Sequence, residues 1–352
     1  MRTTTLCYIE RDGAYLMLLR NKKEKDLNKG KWIGVGGKAE KGETPRACVI
    51  RETEEETGLV LSDPVLRGVI EFVSDRWEDE HMYLYTADSF TGTVRECDEG
   101  ELAWIPKEDV PALPTWEGDR IFLKYLLEDR PFFHLELRYG FEDELKGSRL
   151  LPNLILASQS PRRYDLLTQI GWMPAVLPSA VEEVMAGETP EEIVKHLSMQ
   201  KAEDVAADFS HGEIVIGADT IVVADGKILG KPKSEEEAAQ MLRLLSGRTH
   251  QVITGVTVIR CADAAEREEK ISFASVTDVH VYPLLPEEIR AYVESGEPMD
   301  KAGAYAVQGG FAPYVRGIDG EYANVVGLPV SKLYHELRGV APELFEEGAW
   351  KR

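Results

Sequence analysis

The apolar positions of this chain come in short runs separated by polar, glycine-bearing stretches. Residues 3–9 and 14–20 are rich in β-formers and flank Arg11-Asp12-Gly13, which predicts a hairpin. Residues 21–31 are polar and carry Gly30, so a loop is expected there. Further strands are expected at 65–72 and 82–87, on either side of the acidic stretch 74–80, with shorter ones at 93–97 and 102–105. Residues 116–127 have helical apolar spacing, and 132–139 read as a last strand. Strands around one charged helix at 45–57 predict an α+β domain with a mixed sheet. Residues 142–153 mix charge, Gly, Ser and Pro without a period. The boundary is therefore expected near 147–152, giving domains 1–147 and 148–352.

Beyond that seam, 154–157 is a short apolar strand. Ser160 and Pro161 are suited to cap and start a helix ending near Gly171. Thr189 and Ser234 open two capping boxes, the first on a helix containing Lys201, the second on a helix reaching Leu245. Residues 214–218 form an apolar strand expected to end at Asp219-Thr220, followed by a hairpin through Asp225-Gly226. Residues 251–259 and 272–281 read as long paired strands, and 287–295 as a helix. The two halves share no repeat.

Length and charge narrow the choices. A chain of 352 residues exceeds one ordinary core, which agrees with two domains. An apolar share of 43% is that of a globular protein. The formal charge of -21 argues against binding nucleic-acid polymers or acidic membranes, though not against nucleotides whose phosphates a metal screens. No apolar run is long enough to span a bilayer, and the start lacks a basic segment with an apolar core. A soluble, cytoplasmic protein is expected, with a homodimer left open. Cys7, Cys48, Cys97 and Cys261 are scattered, as expected of reduced structural thiols.

The acidic helix carries the first candidate chemistry. Thr44 is a good N-cap, Pro45 a good first residue, and Gly58 a stop. Glu52, Glu55 and Glu56 stand at i, i+3 and i+4 and share one face. In solvent such a cluster costs little and is simply an acidic surface. Partly buried at ~5 Å, each pair costs roughly 3 kcal/mol at an effective dielectric near 20. A hard divalent cation, Mg²⁺ or Mn²⁺, would reverse that repulsion. Gly36 and Gly37 just before the helix permit close backbone approach. Trp32 is either core or a base-stacking platform.

Gly37, Glu43, Arg51, Glu52, Glu55, Glu56 and Gly58 have the spacing G-x5-E-x7-R-E-x2-E-E-x-G, which resembles the Nudix box. Thr53 departs from it, since the family usually has an aliphatic residue there. The surrounding KGKWIGVGGKAEKGE looks most like the MutT-like 8-oxo-dGTP diphosphatases. The resemblance covers about residues 1–140 and implies a Nudix fold. It also implies that Glu52, Glu55, Glu56 and the Gly37 carbonyl bind the metal, that Glu56 or Glu55 activates water, and that Glu43 and Arg51 hold loop and helix in register. Glu101 is a candidate further ligand; Trp104, Trp116 and Asp119 are candidates for the base pocket.

In the second half, Ser158-Gln159-Ser160-Pro161-Arg162-Arg163 places two arginines at a helix start, which suits an anion or an ordinary solvated cap. Asp219 after a buried strand suits a base, a metal ligand or a turn cap. Residues 296–310 gather Glu297, Asp300, Lys301 and Gln308 among glycines. LASQSPRR, IGADTIV, LGKPKS, SGRTHQVITG, SGEPMDKAGAYAVQG and NVVGLP together resemble the Maf family of nucleotide pyrophosphatases. The resemblance implies an α/β fold with a central mixed sheet and an active-site cleft. It also implies Asp219 as proton acceptor and metal contact, Arg162, Thr220 and Gln308 as readers of the base, and Ser158, Arg163, Lys231 and Lys301 as phosphate grips. Glu183 is a further acidic candidate, with Glu182-Glu183 where the family has Asp-Glu.

The overall expectation is a fusion of two Mg²⁺-dependent nucleotide diphosphatases, one for dTTP and UTP, the other for 8-oxo-dGTP. Two alternatives stand beside it: the first half acts on ADP-ribose or a dinucleotide, or the second is a nucleotide-dependent regulator of cell division.

Overall fold

The computed structural model describes residues 2–262 and 269–346. The chain divides into two compact units, Met1–Asn153 and Leu154–Arg352. Among the described residues no helix is long and apolar enough to cross a membrane.

The first unit begins with β1 (Arg2–Arg11) and β2 (Ala14–Arg20), the expected hairpin, then β3 (Trp32–Ile33). Helix α1 (Pro45–Thr57) follows, bounded as its sequence predicts. Thr44 Oγ1 accepts the Ala47 N–H at 3.2 Å, and Gly58 closes the helix in the left-handed conformation. β4 (Leu59–Leu61), β5 (Val65–Ser74), β6 (Glu80–Ala87), β7 (Phe90–Gly92), β8 (Gly100–Pro106), α2 (Glu117–Leu127), β9 (Phe133–Tyr139) and β10 (Leu145–Leu151) complete the unit. The main sheet runs β10-β9-β5-β6-β1-β2-β3, with β8 also on β2. It is mixed, because β1–β6 and β5–β9 are parallel. The helical stripe of α2 contributes Phe122, Leu123 and Leu126 to a core with Tyr8, Tyr15 and Leu84.

Two expectations fail here. Residues 93–97 are not a strand; the strand is β7, paired with β4. Instead Arg95 extends to the open end of α1, donating to the carbonyls of Glu54 and Glu55 at 2.9 and 2.8 Å. Nor is β9 the last strand. β10 pairs with it antiparallel across the stretch read as a structureless seam, so the units part after Asn153. β10 is mostly exposed and held by backbone pairing, which apolar periodicity does not reveal.

The second unit comprises β11 (Leu154–Leu156), α3 (Pro161–Gln169), β12 (Ala175–Val176), α4 (Pro190–Ala206), β13 (Ile214–Ala224), β14 (Lys227–Leu229), α5 (Glu235–Leu245), β15 (Thr249–Arg260), β16 (Glu269–Val281), α6 (Pro286–Glu294), β17 (Val315–Asp319), α7 (Tyr322–Val326) and α8 (Val330–Val340). Its sheet runs β12-β11-β13-β15-β16-β17, parallel over the first three strands and antiparallel thereafter. Thr189 and Glu192 form the complete capping box of α4. At α5 Ser234 caps the Glu237 N–H, but Glu237 turns to the Lys233 N–H.

β13 does not end at Asp219. It continues to Ala224, and its neighbours change on the way. Pairing with β11 stops at Ile216, and pairing with β14 starts only at Val222. Asp219 and Thr220 stand in that gap, partly exposed within an otherwise buried strand. The chain leaving β11 enters α3 there, through Ser158 and the two arginines. Ser160 occupies the N-cap position of α3, but its side chain does not cap the helix.

Candidate active sites

In the first unit Arg51 organises the acidic face. Its Nε and Nη2 fork onto Glu43 Oε1 and Oε2, both at 2.9 Å. Nη2 also reaches the Lys38 carbonyl at 3.2 Å, tying the loop to the helix. Its Nη1 donates to Glu52 Oε1 at 2.9 Å and to Glu55 Oε2 at 3.2 Å. The hydrogen bond from Arg51 holds the Glu43 carboxyl below its usual range.

Glu56 differs from its two neighbours. It is 9% exposed, against 61% for Glu55, and burial pushes its pKa up to about 7. Its Oε2 accepts the Gly36 N–H at 2.9 Å, and Oε1 lies 3.8 Å from Arg20. Gly36 must be glycine: its φ is 152° and a Cβ would lie 2.2 Å from the Thr5 carbonyl oxygen. At Gly37 a Cβ would fall 2.3 Å from Oε2 of Glu52, so that carboxylate rests directly on the backbone whose carbonyl is the fourth expected ligand.

Among the described residues no three acidic, histidine or cysteine side chains converge as a metal-holding group. Arg51 holds Glu52 and Glu55, while Glu56 turns towards Gly36. The donor set nevertheless fits a hard divalent cation. All the donors are oxygens, Gly37 leaves room beside Glu52, and Glu56 sits where a bare negative charge is disfavoured.

Glu101 does not join this group; it accepts from Asn21 at 2.9 Å on the surface. Glu99 lies nearer, paired with Arg20 and Lys23, and Arg20 also approaches Glu56. Only the pairing of β2 with β8 reveals Glu99, and that is a long-range fact. Of the base-pocket candidates, Trp116 donates to Asn28 at 2.8 Å. Asp119 is 6% exposed, its pKa pushed up to about 7 by burial against the pull of Lys31. The Tyr8 hydroxyl is buried against the Gly34 backbone and interacts electrostatically with Asp119. Trp32 packs against the same core, half buried. Trp104 instead stacks on Phe90 under Arg11.

In the second unit two hydrogen-bonded groups meet on β13. Asp219 Oδ1 accepts from Lys201 Nζ at 2.5 Å, and Lys201 also pairs with Glu183 at 3.0 Å. On the adjacent residue, Thr220 Oγ1 accepts from Arg163 Nη2 at 3.2 Å. Arg163 further donates to Ser158 Oγ and to the Gly327 carbonyl, both at 2.8 Å. Burial pushes Arg163 below the usual arginine range, and Asp219 opposes this. Lys201 is the residue that sequence reasoning left without a role. Its signal is a cation in the stripe Val194, Ser198, Lys201, Val205, otherwise the buried face of α4.

The structure thus joins Ser158, Arg163, Asp219 and Thr220. Lys231 and Gln308 are exposed, and among the described residues no hydrogen bond ties them to that group. Their segments are neighbours, since the Gly303 N–H donates to the Gly230 carbonyl at 3.1 Å. Lys301 bonds Asp300 and the Glu297 carbonyl. Burial would raise Asp300, but Lys301 and then Arg162 hold its carboxyl below the usual value.

A family model for Maf-like proteins matches residues 153–340. The chain belongs to the Maf family. A NUDIX domain model matches residues 1–126, so the first unit is a Nudix domain. The dTTP/UTP pyrophosphatase of Agathobacter rectalis is 50% identical over 200 residues, covering 53% of this chain and 97% of that protein. That of Carboxydothermus hydrogenoformans is 51% identical over 185 residues, with coverages of 53% and 97%. Among solved structures, the MutT protein of Bacillus halodurans is 28% identical over 43% of this chain and 97% of its own, with a TM-score of 0.39. The architecture is the expected one, a mixed-sheet Nudix fold followed by a Maf-type α/β domain. Both parts mark the chain as a hydrolase acting on acid anhydrides.

Proposed function

We propose that the chain is a bifunctional nucleotide diphosphatase that clears unwanted nucleotides. The Maf domain hydrolyses dTTP and UTP, together with modified pyrimidine nucleotides, to the monophosphate and pyrophosphate. The Nudix domain hydrolyses 8-oxo-dGTP or a related nucleoside diphosphate derivative. The observation that carries the first statement is the pair of groups on β13, Asp219–Lys201–Glu183 and Ser158–Arg163–Thr220, in a domain half identical to dTTP/UTP pyrophosphatases.

Asp219 takes the proton of the attacking water. Lys201 donates to its Oδ1 and so fixes the carboxylate. Arg163 spends its fork on Ser158, Thr220 and Gly327, and thereby fixes the wall of the site. Lys231 and Lys301 remain to meet phosphates, and Arg162 and Gln308 join Thr220 in reading the base. In the Nudix domain Glu56 or Glu55 accepts the proton from water; Glu56 is the buried one of the two, Glu55 the exposed one. The buried Asp119 and the Trp116 ring support reading of a base there. Mg²⁺ or Mn²⁺, held by Glu52, Glu55, Glu56 and the Gly37 carbonyl in one domain and by Asp219 with Glu183 in the other, would neutralise phosphate charge and acidify water.

The test is pyrophosphate release by the full chain with Mg²⁺ over dTTP, UTP, dCTP, 8-oxo-dGTP, dGTP and ADP-ribose. Turnover of dTTP, UTP and 8-oxo-dGTP well above the rest is expected. Inertness towards dTTP and UTP would refute the pyrimidine assignment, and preference for ADP-ribose would refute the purine one.

A further inference from the structure

Behind Thr220 lies a second threonine with no assigned part. Thr254, on the neighbouring strand β15, is fully buried and directly opposite Thr220 in register. The two hydroxyl oxygens are 2.9 Å apart, and Thr254 Oγ1 also lies 3.1 Å from the Asn324 carbonyl. Asn324 is itself fixed, its amide donating to the Val252 carbonyl at 3.0 Å and to Thr277 Oγ1 at 2.9 Å.

A hydroxyl has one proton to give, and a carbonyl can only accept. Two arrangements are available. In one, Thr254 donates to Asn324 and Thr220 donates to Thr254, which keeps both short bonds. In the other, Thr254 donates to Thr220, and Thr220 turns its proton to a ligand or to the Gly327 carbonyl at 3.5 Å, which already accepts Arg163 at 2.8 Å. The second arrangement leaves the buried Asn324 carbonyl without Thr254 and gains only a marginal contact within the protein, so the first prevails. Arg163 is always a donor, so Thr220 accepts from it in either case. The Thr220 proton therefore points inward. What its oxygen offers a ligand is a lone pair.

We propose that Thr254 is a specificity-determining positioning residue: through Thr220 it makes the site accept a base with a ring N–H and reject one with a bare ring nitrogen. Thymine and uracil carry that hydrogen at N3; cytosine carries an acceptor there. The inference rests on Thr220 facing the base, as the pyrimidine reading requires. Facing cytosine, two acceptors would meet with no proton between them, a mismatch that sites built on hydrogen bonds reject strongly.

The test uses the full chain with the Nudix domain silenced by Glu55→Gln and Glu56→Gln, and reads kcat/KM for dTTP and dCTP. Thr254→Val frees the Thr220 proton, and the dTTP to dCTP ratio should fall by about tenfold or more. Thr254→Ser keeps the relay and should keep the ratio. An equal loss on both substrates in Thr254→Val, with the ratio intact, means a merely structural role and overturns the inference. Should the valine variant fail to fold, N3-methyl-dTTP given to the parent decides: turnover equal to dTTP overturns the inference, and rejection matching that of dCTP upholds it. A parent inert to dTTP sinks the pyrimidine reading itself, and this inference with it.

Discussion

The acidic face of α1 and the gap in β13 hold carboxylates for the same kind of substrate by opposite means. On α1 the carboxylates belong to one helical turn and cannot separate. Arg51 shares its charge among Glu43, Glu52 and Glu55, and Glu56 is left to bind a proton near neutral pH. On β13 a single carboxylate is matched by a lysine from another element, which Glu183 shares. The local site therefore carries a charge excess that calls for a cation from outside. The non-local site adds a fixed lysine between the two carboxylates proposed to hold metal, and depends on tertiary structure to deliver it.

Breaking that delivery should have the largest effect. Lys201→Met leaves Asp219 and Glu183 without their shared cation, and pyrimidine kcat/KM should fall by about 10³-fold. Hydrolysis of 8-oxo-dGTP should be unchanged in the same preparation. A parallel fall in both would show that the sites are coupled.

The next prediction sharpens the purine side. Asp119 binds its proton more tightly in the folded protein, near pH 7, than at the ordinary value of 3.8. Its contribution to stability is therefore full below pH 3.8 and lost as pH rises to about 7, up to about 4 kcal/mol. Asp119→Asn should match the parent in urea unfolding at pH 4 and exceed it at pH 8. A variant less stable than the parent at pH 8 would contradict burial as the cause.

A smaller effect is expected where geometry, not charge, is altered. Arg51→Lys keeps the cation but loses the fork onto Glu43, and should cost about 1 kcal/mol. The thermal transition of the Nudix domain should drop by a few degrees while that of the Maf domain stays. Nudix activity should fall further than stability alone explains, because the loop from Lys38 to Glu43 loses its anchor.

The two sites were also unequally legible from sequence. Everything on α1 lies within 22 residues, so caps and spacing predict its limits and its acidic face, and the resemblance to the Nudix box implies the Glu43–Arg51 pair. The rest is set by strand pairing: Glu99, just before β8, is brought to Arg20 by the β2–β8 pairing, and Trp104 is drawn off by Phe90. The second site draws on residues from Ser158 to Gly327, which no local pattern connects. Its motifs indicate Asp219, Thr220 and Arg163, but Lys201 reads only as part of a capped helix, and the apolar run of β13 breaks at Asp219 although the strand continues to Ala224. β10 was missed for a related reason. A polar edge strand is specified by its partner rather than by its own side chains.

The central claim is that one chain carries two hydrolytic centres that work independently, and a crossed measurement tests it most directly. Release of pyrophosphate from dTTP and from 8-oxo-dGTP is followed for the parent, Asp219→Asn, Glu55→Gln with Glu56→Gln, and the triple variant. The account predicts that Asp219→Asn abolishes only the dTTP reaction, that the paired glutamate change abolishes only the 8-oxo-dGTP reaction, and that the triple variant does neither. Undiminished dTTP hydrolysis in Asp219→Asn, or the loss of both reactions from either change alone, would contradict it.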